Sequence, residues 1–553
     1  MKSRAPWVAA ALTFALYVRT VDFAFTYDDH NHIVKNPFLA SLSNLSEMLP
    51  WRYLSHEIPD QGRPVLLLSH FLDRALGGGS AVAHLQSALW HALVAALVAT
   101  LAMRTGLAEK AAGFAGVLFG LHPVLAEAVA NVSNREDVLC SAFALLALLS
   151  ARRFLDGKHW ALTGVVLFQA LALGAKELAV VTPLLLVLLA VCFRRFRPPR
   201  SEARRRWVAL GVAFALLTAG FGAFQLRLGY PSLLPAAGGS GLQRAELSVT
   251  PPLIAVLAAF DHVEPPTGRA PQGRAGAGDA VAFEGRRALQ VALPLRGSPE
   301  YDLDDFRGAL PLLSSIAGLG LLLVLAYRDL GGSRRVTLAV GWFFLGTLPV
   351  LWPTLLLNPL ADRYLYLPTV GFALLLGHLV ADVLPGVVKR QNAEWWTGLA
   401  LAAIYGVVAL ANLLVWKNDV SLFSEAVARA PRSARMQQNL GMALIGADRV
   451  DEGREALVRA LELDPTLTAA QFNLAVLADR RGNAEEAIQR YQHTLSSPSV
   501  VAEKSLHDSA CSRLATLLLA RRRFDEAREL ARREREVNPD SACARRLTTG
   551  LGE

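Results

Sequence analysis

The chain has 553 residues, of which 53% are hydrophobic and only 19% charged, and its mean hydropathy is +0.33. A water-soluble protein of this size carries about a quarter charged residues, so these values exclude a disordered chain and argue against an ordinary soluble enzyme. Four cysteines in this length exclude a disulfide-built scaffold. The net charge of +9 does not mark a nucleic-acid binder. From Val420 to Glu553 there are 20 Lys/Arg against 19 Asp/Glu, so the surplus sits between apolar stretches, where membrane topology signals belong.

A spanning helix needs about 20 mostly apolar residues. Runs without any Asp, Glu, Lys or Arg cover 75–103, 207–226, 308–326, 336–361, 364–381 and 395–416. Shorter uncharged runs cover 5–18, 111–126, 138–151, 159–175 and 178–193. Together they predict eleven spans. The runs near 247–260 and 288–295 are too short to cross and read as interfacial or re-entrant. Alternate loops carry the basic residues, from Lys2 and Arg4 through Arg194–Arg206 to Lys389 and Arg390. The opposite short loops, 131–137, 176–177 and 357–363, hold one basic residue each. This positive-inside pattern puts the N-terminus in the cytoplasm and the C-terminal region outside. The N-terminal run is followed by Arg19 and Asp22 and lacks a small-x-small cleavage site, so it reads as an uncleaved anchor.

After Trp416 the chain turns polar. Asn439-Leu440 recurs as Asn473-Leu474, Glu452-Gly453 as Glu486-Ala487, and Pro431 as Pro465, each 34 residues on. Phe524-Asp525-Glu526-Ala527 marks a looser third copy. This period predicts stacked helix pairs, with Gly441, Ala443 and Ala456 allowing close approach and Cys511 and Cys543 as small core residues. The chain thus divides into a membrane domain, 1–418, and a repeat domain, 419–553. The fold class expected is all-α: a polytopic helical bundle followed by a short α-solenoid.

Chemistry is expected on the side opposite the basic loops. The first loop there, about 22–74, opens Thr26-Tyr27-Asp28-Asp29-His30-Asn31-His32. Carboxylates and imidazoles at a membrane exit suit proton transfer, or a divalent ion held by Asp28, His30 and His32, though no spacing demands a metal. The ordinary alternative is a solvated helix cap. His122 and Glu127 fall within the third predicted span, where ionisable groups face a cavity or a partner. Arg135, Glu136 and Asp137 follow in the next loop, then the Lys176-Glu177 pair, then Asp362-Arg363-Tyr364. An Arg at this interface can hold a phosphate by paired hydrogen bonds. No Gly-x-x-x-x-Gly-Lys-Ser/Thr loop, Gly-x-Ser-x-Gly elbow or His-Glu-x-x-His pair occurs.

Tyr27-Asp28-Asp29, Gly62-Arg63-Pro64, His122-Pro123-Val124 with Glu127, Arg135-Glu136-Asp137, Lys176-Glu177, Pro294-Leu295-Arg296 with Ser298-Pro299-Glu300-Tyr301, and Asp362 through Pro368 occur in that order, followed by the repeats. The 34-residue period resembles the tetratricopeptide repeat. The whole resembles the transmembrane and tetratricopeptide-repeat proteins, a family of protein O-mannosyltransferases within the C-type-fold membrane glycosyltransferases. The resemblance implies a polyprenyl-phosphate-linked sugar donor, mannose foremost, and inverting transfer to Ser or Thr hydroxyls of an exported protein. It implies Asp28 or Asp29 as general base, undecided between them. It implies cationic support for the departing phosphate from Arg363, Arg135 or Lys176, in that order, with Glu127, His122 and Glu177 shaping the pocket. Heavy Ala, Leu and Arg usage suggests a bacterial inner membrane with periplasmic repeats. The repeat array is short, about three units, and the large loop 229–308 has a Pro/Gly/Ala-rich stretch from Glu264 to Gly278 that reads as flexible. Partners expected are the lipid-linked donor, the acceptor protein and membrane lipid, with no nucleic acid and no certain cofactor. Two rivals stand beside this reading: a non-catalytic scaffold built on the repeats, and the same enzyme class acting on a glycan or lipid.

Overall fold

The computed structural model describes residues 3–53, 60–228, 277–293, 297, 301, 309–350, 360–388, 390–497, 504–537 and 541–551. Among them there is no strand. The chain forms two compact units, divided between Leu422 and Phe423, with 275–299 and 303–422 in the first unit and short pieces of the large loop counted with the second. The predicted flexible stretch, Pro294-Leu295-Arg296, Ser298-Pro299-Glu300 and the run 247–260 lie outside the described residues.

The first unit begins with α1 (Ala5–Tyr17), followed after a long loop by α2 (Pro64–Ala75) and α3 (Gly79–Thr105). Then come α4 (Glu109–Gly120), the short α5 (Ala126–Ala130), α6 (Arg135–Leu155), α7 (Ala161–Ala175), α8 (Thr182–Cys192) and α9 (Ala203–Arg227). The series continues with α10 (Ala277–Ala292), α11 (Ala309–Asp329), α12 (Arg335–Thr347), α13 (Thr369–His378) and α14 (Ala393–Val415). Six helical stretches are long and apolar enough to cross a membrane: Gly79–Thr105, Val132–Leu155, Ala203–Arg227, Ala309–Asp329, Thr369–Val387 and Ala393–Val415. The bent pair of α4 with the 123–130 segment makes a seventh, so this is a multi-pass membrane protein. Each of the eleven expected runs does coincide with a helix. Of the other four, three are shorter than a bilayer is thick, α1 with 13 residues and α7 with 15 among them, and the run 336–361 is helical as far as it is described, to Val350. The run 288–295, read as interfacial or re-entrant, forms the end of α10 as far as it is described.

Breaks in these helices have local causes. Pro6, Pro64 and Pro183 stand in the first turns of α1, α2 and α8, where the missing N–H costs nothing. At the end of α4 the chain meets Pro123, whose ring cannot continue a helix. His122 turns extended there and its ring accepts the Val124 N–H, restarting the chain at a 47° bend. Asn131 and Lys176 also leave helical geometry, at ψ 113 and 140. The expected third span is therefore broken, and Glu127 sits on the piece beyond the break.

The inner helices pack through small residues. A side chain at Gly116 on α4 would meet Cβ of Ala9 on α1 at 2.7 Å, Cβ of Ala99 on α3 at 2.8 Å and the Ala95 carbonyl at 2.9 Å. The outer helices are bare: Leu216 on α9 and Leu310, Leu313 and Leu321 on α11 are largely exposed, as lipid-facing residues should be. Trp7, Trp160, Trp395 and Trp396 are also exposed, and all stand where helices leave basic loops, the position of an interfacial aromatic belt.

The second unit is made of helix pairs: α16 (Ala434–Gly446) with α17 (Val450–Leu463), α18 (Thr468–Arg480) with α19 (Ala484–Ser496), and α20 (Lys504–Ala520) with α21 (Phe524–Val537). Helix α15 (Asp419–Arg429) precedes them and α22 (Ala542–Leu551) comes after. The first two pairs start 34 residues apart, as the repeat predicts. A side chain at Gly441 would lie 2.9 Å from the Gly453 carbonyl, so the first pair needs glycine there. Cys511 and Cys543 are not mere core fillers: they form a disulfide joining α20 to α22, with Cα atoms 5.7 Å apart.

Overpacking a close helix contact costs about 1–3 kcal/mol. Gly116→Val is accordingly expected to lower the unfolding temperature of the detergent-solubilised protein. Gly211→Val, on the open face of α9 with nothing within 4 Å, should leave it unchanged.

Candidate active site

The helix breaks gather charged side chains at the ends remote from the basic loops. Arg63, just before α2, donates from Nη1 to Glu136 Oε2 at 2.5 Å and from Nη2 to Glu177 Oε1 at 2.9 Å. Lys176 Nζ lies 2.8 Å from both Glu136 Oε1 and Asp137 Oδ2. The two residues that sequence places in a loop, Glu136 and Asp137, in fact form the first turn of α6, where the helix dipole favours negative charge. Two cations and three carboxylates are thus paired where an unpaired charge would be costly.

A second pair adjoins this network. Arg363 Nη1 donates to Glu127 Oε1 at 2.6 Å, and the Arg363 backbone N–H donates to Oε2 at 3.2 Å. The Tyr364 ring lies between the groups, 5.1 Å from the Arg363 guanidinium and 5.8 Å from Lys176 Nζ, both within cation–π range. Asp362 turns the other way and accepts from Gln290 Nε2 at 2.7 Å. Asn412 Nδ2 donates to the Pro123 carbonyl at 3.0 Å, holding α14 against the break after α4.

The loop after α1 is fixed from two directions. Tyr27 N–H donates to Asp419 Oδ1 at 2.9 Å, and His30 Nε2 lies 2.7 Å from Asp419 Oδ2. Asp29 is fully buried. Its Oδ1 accepts from Ser133 N–H at 2.7 Å and Ser133 Oγ at 2.6 Å, and its Oδ2 accepts from Thr26 N–H. Burial pushes its carboxyl up to about 6, and the donors from Ser133 and Thr26 work in the opposite direction. Asp28 is only half-buried and lies within electrostatic reach of both Arg363 and His32. The adjacent carboxylates therefore differ: Asp29 locks the loop to the 131–134 segment, while Asp28 is half-buried and within electrostatic reach of Arg363.

Arg135, His122 and the expected metal trio have other surroundings. Arg135 is fully buried and its guanidinium is spent inside the bundle, on Ser87 and Ser69 hydroxyls, Asp73 Oδ2 at 2.7 Å, Gln86 Oε1 and the Ala83 carbonyl. His122 Nε2 faces the Val291 carbonyl at 3.0 Å while its other nitrogen caps the helix break. Asp28, His30 and His32 do not converge on a metal position, because His30 pairs with Asp419 and His32 Nδ1 with Asp60 Oδ2 at 2.6 Å. Among the described residues they are not a metal-binding group. Sequence reasoning misses the parts played by Asp60, Tyr364 and Asp419, and it reaches Arg63 only as part of Gly62-Arg63-Pro64. An Arg directly before a helix-starting proline is the one available signal.

Removing Arg135 strands a buried Asp73 carboxylate, a loss of about 3–5 kcal/mol for a broken buried pair. Arg135→Met should therefore fail as folded protein on size exclusion. Arg135→Lys should not restore it, because an ammonium cannot supply the five forked donors.

The Asp60 bond raises His32 to about 9, and Asp28 and Glu136 add to this against the effect of burial. Asp60 is lowered by His32 and Arg63, although burial alone would raise it. A raised histidine stabilises the folded loop below its unfolded pKa of about 6.5 and loses that contribution as pH rises through 9. Protection of the 30–60 loop, read by limited proteolysis at Lys35, is expected to fall between pH 7 and about 9.5. In Asp60→Asn protection should already be lower at pH 7 and the fall should be largely lost, because His32 no longer has a strongly raised value in the folded state.

No protein-family model matches the chain. It is 27% identical to the protein O-mannosyl-transferase Tmtc1 of Drosophila melanogaster over 84% of this chain and 62% of that protein. To the protein O-mannosyl-transferase TMTC4 of Homo sapiens it is 24% identical over 78% of this chain and 63% of that protein. A shorter match of 229 residues, 34% identical, links it to Drosophila Tmtc2. Among solved structures, the Archaeoglobus fulgidus oligosaccharyltransferase aligns over 74% of this chain and 55% of its own, with a TM-score of 0.42 and 15% identity. The chain spans about three fifths of the length of Tmtc1 and TMTC4. Over most of its length the chain is thus similar in sequence to the TMTC protein O-mannosyl-transferases of fly and human.

Proposed function

We propose that this chain is a membrane glycosyltransferase that moves a hexose, mannose foremost, from a polyprenyl-phosphate donor to Ser or Thr hydroxyls of exported proteins. The reading is supported by the half-buried Asp28 within electrostatic reach of Arg363, which is itself paired with Glu127, in a chain whose relatives are named protein O-mannosyl-transferases.

In this reading Asp28 is the general base. It takes the hydroxyl proton as the acceptor oxygen bonds to the anomeric carbon, and the bond from that carbon to the donor phosphate breaks on the opposite face. Configuration inverts and the polyprenyl phosphate leaves as an anion. Arg363 is the cation best fitted to receive it, because Glu127 and the Tyr364 ring hold its guanidinium while leaving it about a fifth exposed. Lys176 is a weaker candidate, since Glu136 and Asp137 already claim its ammonium. Glu177 acts through Arg63. Arg135 and His122 are positioning residues, one locking α6 into the bundle and the other setting the break before Glu127.

The repeat unit binds the acceptor in this reading. The membrane is a bacterial inner membrane, with the N-terminus cytoplasmic and the repeats periplasmic. The Cys511–Cys543 disulfide supports an oxidising compartment for the repeats, since such bonds persist outside the reducing cytosol.

The test supplies radiolabelled polyprenyl-phosphate-mannose and periplasmic extract to the purified chain in nanodiscs. Label should pass to protein with wild type, and Asp28→Asn should slow transfer by roughly 10²–10⁴-fold while expression and elution stay unchanged. Transfer by Asp28→Asn at the wild-type rate would overturn the assignment of the base. Label appearing only in lipid or glycan would overturn the acceptor.

A further inference from the structure

The third helix pair of the repeat unit holds a second polar cluster, unrelated to the site above. His507 on α20 and Glu534 on α21 are buried, with relative exposures of 8% and 3%. Asp508 stands next to His507 with its Oδ1 buried and without a hydrogen-bond partner. One ligand atom from each of the three residues lies within 4.8 Å of the other two.

The spacing is the informative part. His507 Nε2 is 3.6 Å from Glu534 Oε2, and Nδ1 is 3.9 Å from Asp508 Oδ1. Both separations exceed the 2.7–3.2 Å of an N–H···O bond, so a buried imidazole faces two carboxylates without bonding to either. Donors bound at about 2.0–2.2 Å around one tetrahedral ion lie roughly 3.4 Å from one another. The two separations run from different ring nitrogens, and an ion would take a single imidazole nitrogen, with one oxygen of each carboxylate within 4.8 Å of it and of each other. Glu534 is already oriented, because Ser541 Oγ donates to its other oxygen at 2.8 Å and leaves Oε2 facing the ring. Asp508 also lines an open groove of about 580 Å³ with Ser512, Arg513 and Arg546, which brings solvent to this carboxylate.

We propose that His507, Asp508 and Glu534 bind one divalent transition-metal ion, Zn²⁺ by their imidazole and carboxylate chemistry, with water as fourth ligand. The ion ties α20 to α21. Its neighbours already serve the same end: Cys511, one turn along α20 from His507, is bonded to Cys543, two residues from Ser541. The disulfide ties α20 to α22 and the metal would tie α20 to α21, so the helices of the loosest repeat would be held at both contacts.

The experiment uses the full chain in detergent, treated with a chelator that is then removed. Zinc binding is read by competition with a chromophoric zinc indicator and by metal analysis after dialysis. Wild type should take up one equivalent, with no competition from Mg²⁺ at the same concentration. His507→Gln and Glu534→Gln should each weaken binding at least tenfold. Because those two are buried and can perturb folding, Asp508→Asn serves as the second variant. Its side chain is 38% exposed. It should weaken zinc binding while keeping the unfolding temperature of the chelated protein. Ser541→Ala should weaken binding about tenfold through loss of the outer hydrogen bond. Uptake below half an equivalent by wild type would overturn the site, and so would equal affinity in wild type and all three ligand variants.

Discussion

Charge burial at the broken helix ends is the constraint on which the membrane unit depends. An unpaired ammonium or carboxylate there would cost several kcal/mol, so each charge must find an opposite one. Arg63, Lys176, Glu136, Asp137 and Glu177 come from separate stretches of chain and satisfy one another at 2.5–2.9 Å. That requirement fixes where α2, α6 and the break after α7 can lie. The same logic holds deeper in the bundle, where Arg135 binds five groups from α2 and α3.

From this frame the loop after α1 takes its position. Asp29 reaches Ser133, and the Tyr27 backbone reaches Asp419, so the loop is held by the segments after α5 and α14. Holding Asp29 rigidly is what presents its neighbour. Two adjacent carboxylates of identical chemistry have different surroundings, because one is buried among donors and the other is half-buried within electrostatic reach of Arg363. A general base needs reach and a nearby charge to work against, and Asp28 has both in the proposed reaction.

Much of this was legible in the sequence because it rests on period and composition. Each apolar run expected to span became a helix, and the 34-residue recurrence of Asn439-Leu440 at Asn473-Leu474 became two helix pairs in the same register. The charged residues opposite the basic loops were also visible as one-sided. What they do to one another was not. Arg135, Lys176 and Arg363 look alike in sequence, each a single cation between apolar runs. One is enclosed in the bundle, one is shared by two carboxylates, and one is paired but partly open. His30 and His32 look like a ligand pair, yet their partners Asp419 and Asp60 stand 389 and 28 residues away.

Span lengths failed for a related reason. A hydropathy run sums composition along the chain, so it passes unbroken through Pro123 and joins α4 to the segment beyond it. The break is decided by backbone geometry, and only the break puts Glu127 opposite Arg363. The cysteines repeat the lesson, since a separation of 32 residues carries no information on pairing until α20 and α22 are packed. The sequence by itself determined the helical class, the membrane character and the repeat, because each arises from local pattern. The tertiary structure alone decided which carboxylate meets which cation, because pairing depends on distances between segments that the order of residues does not encode.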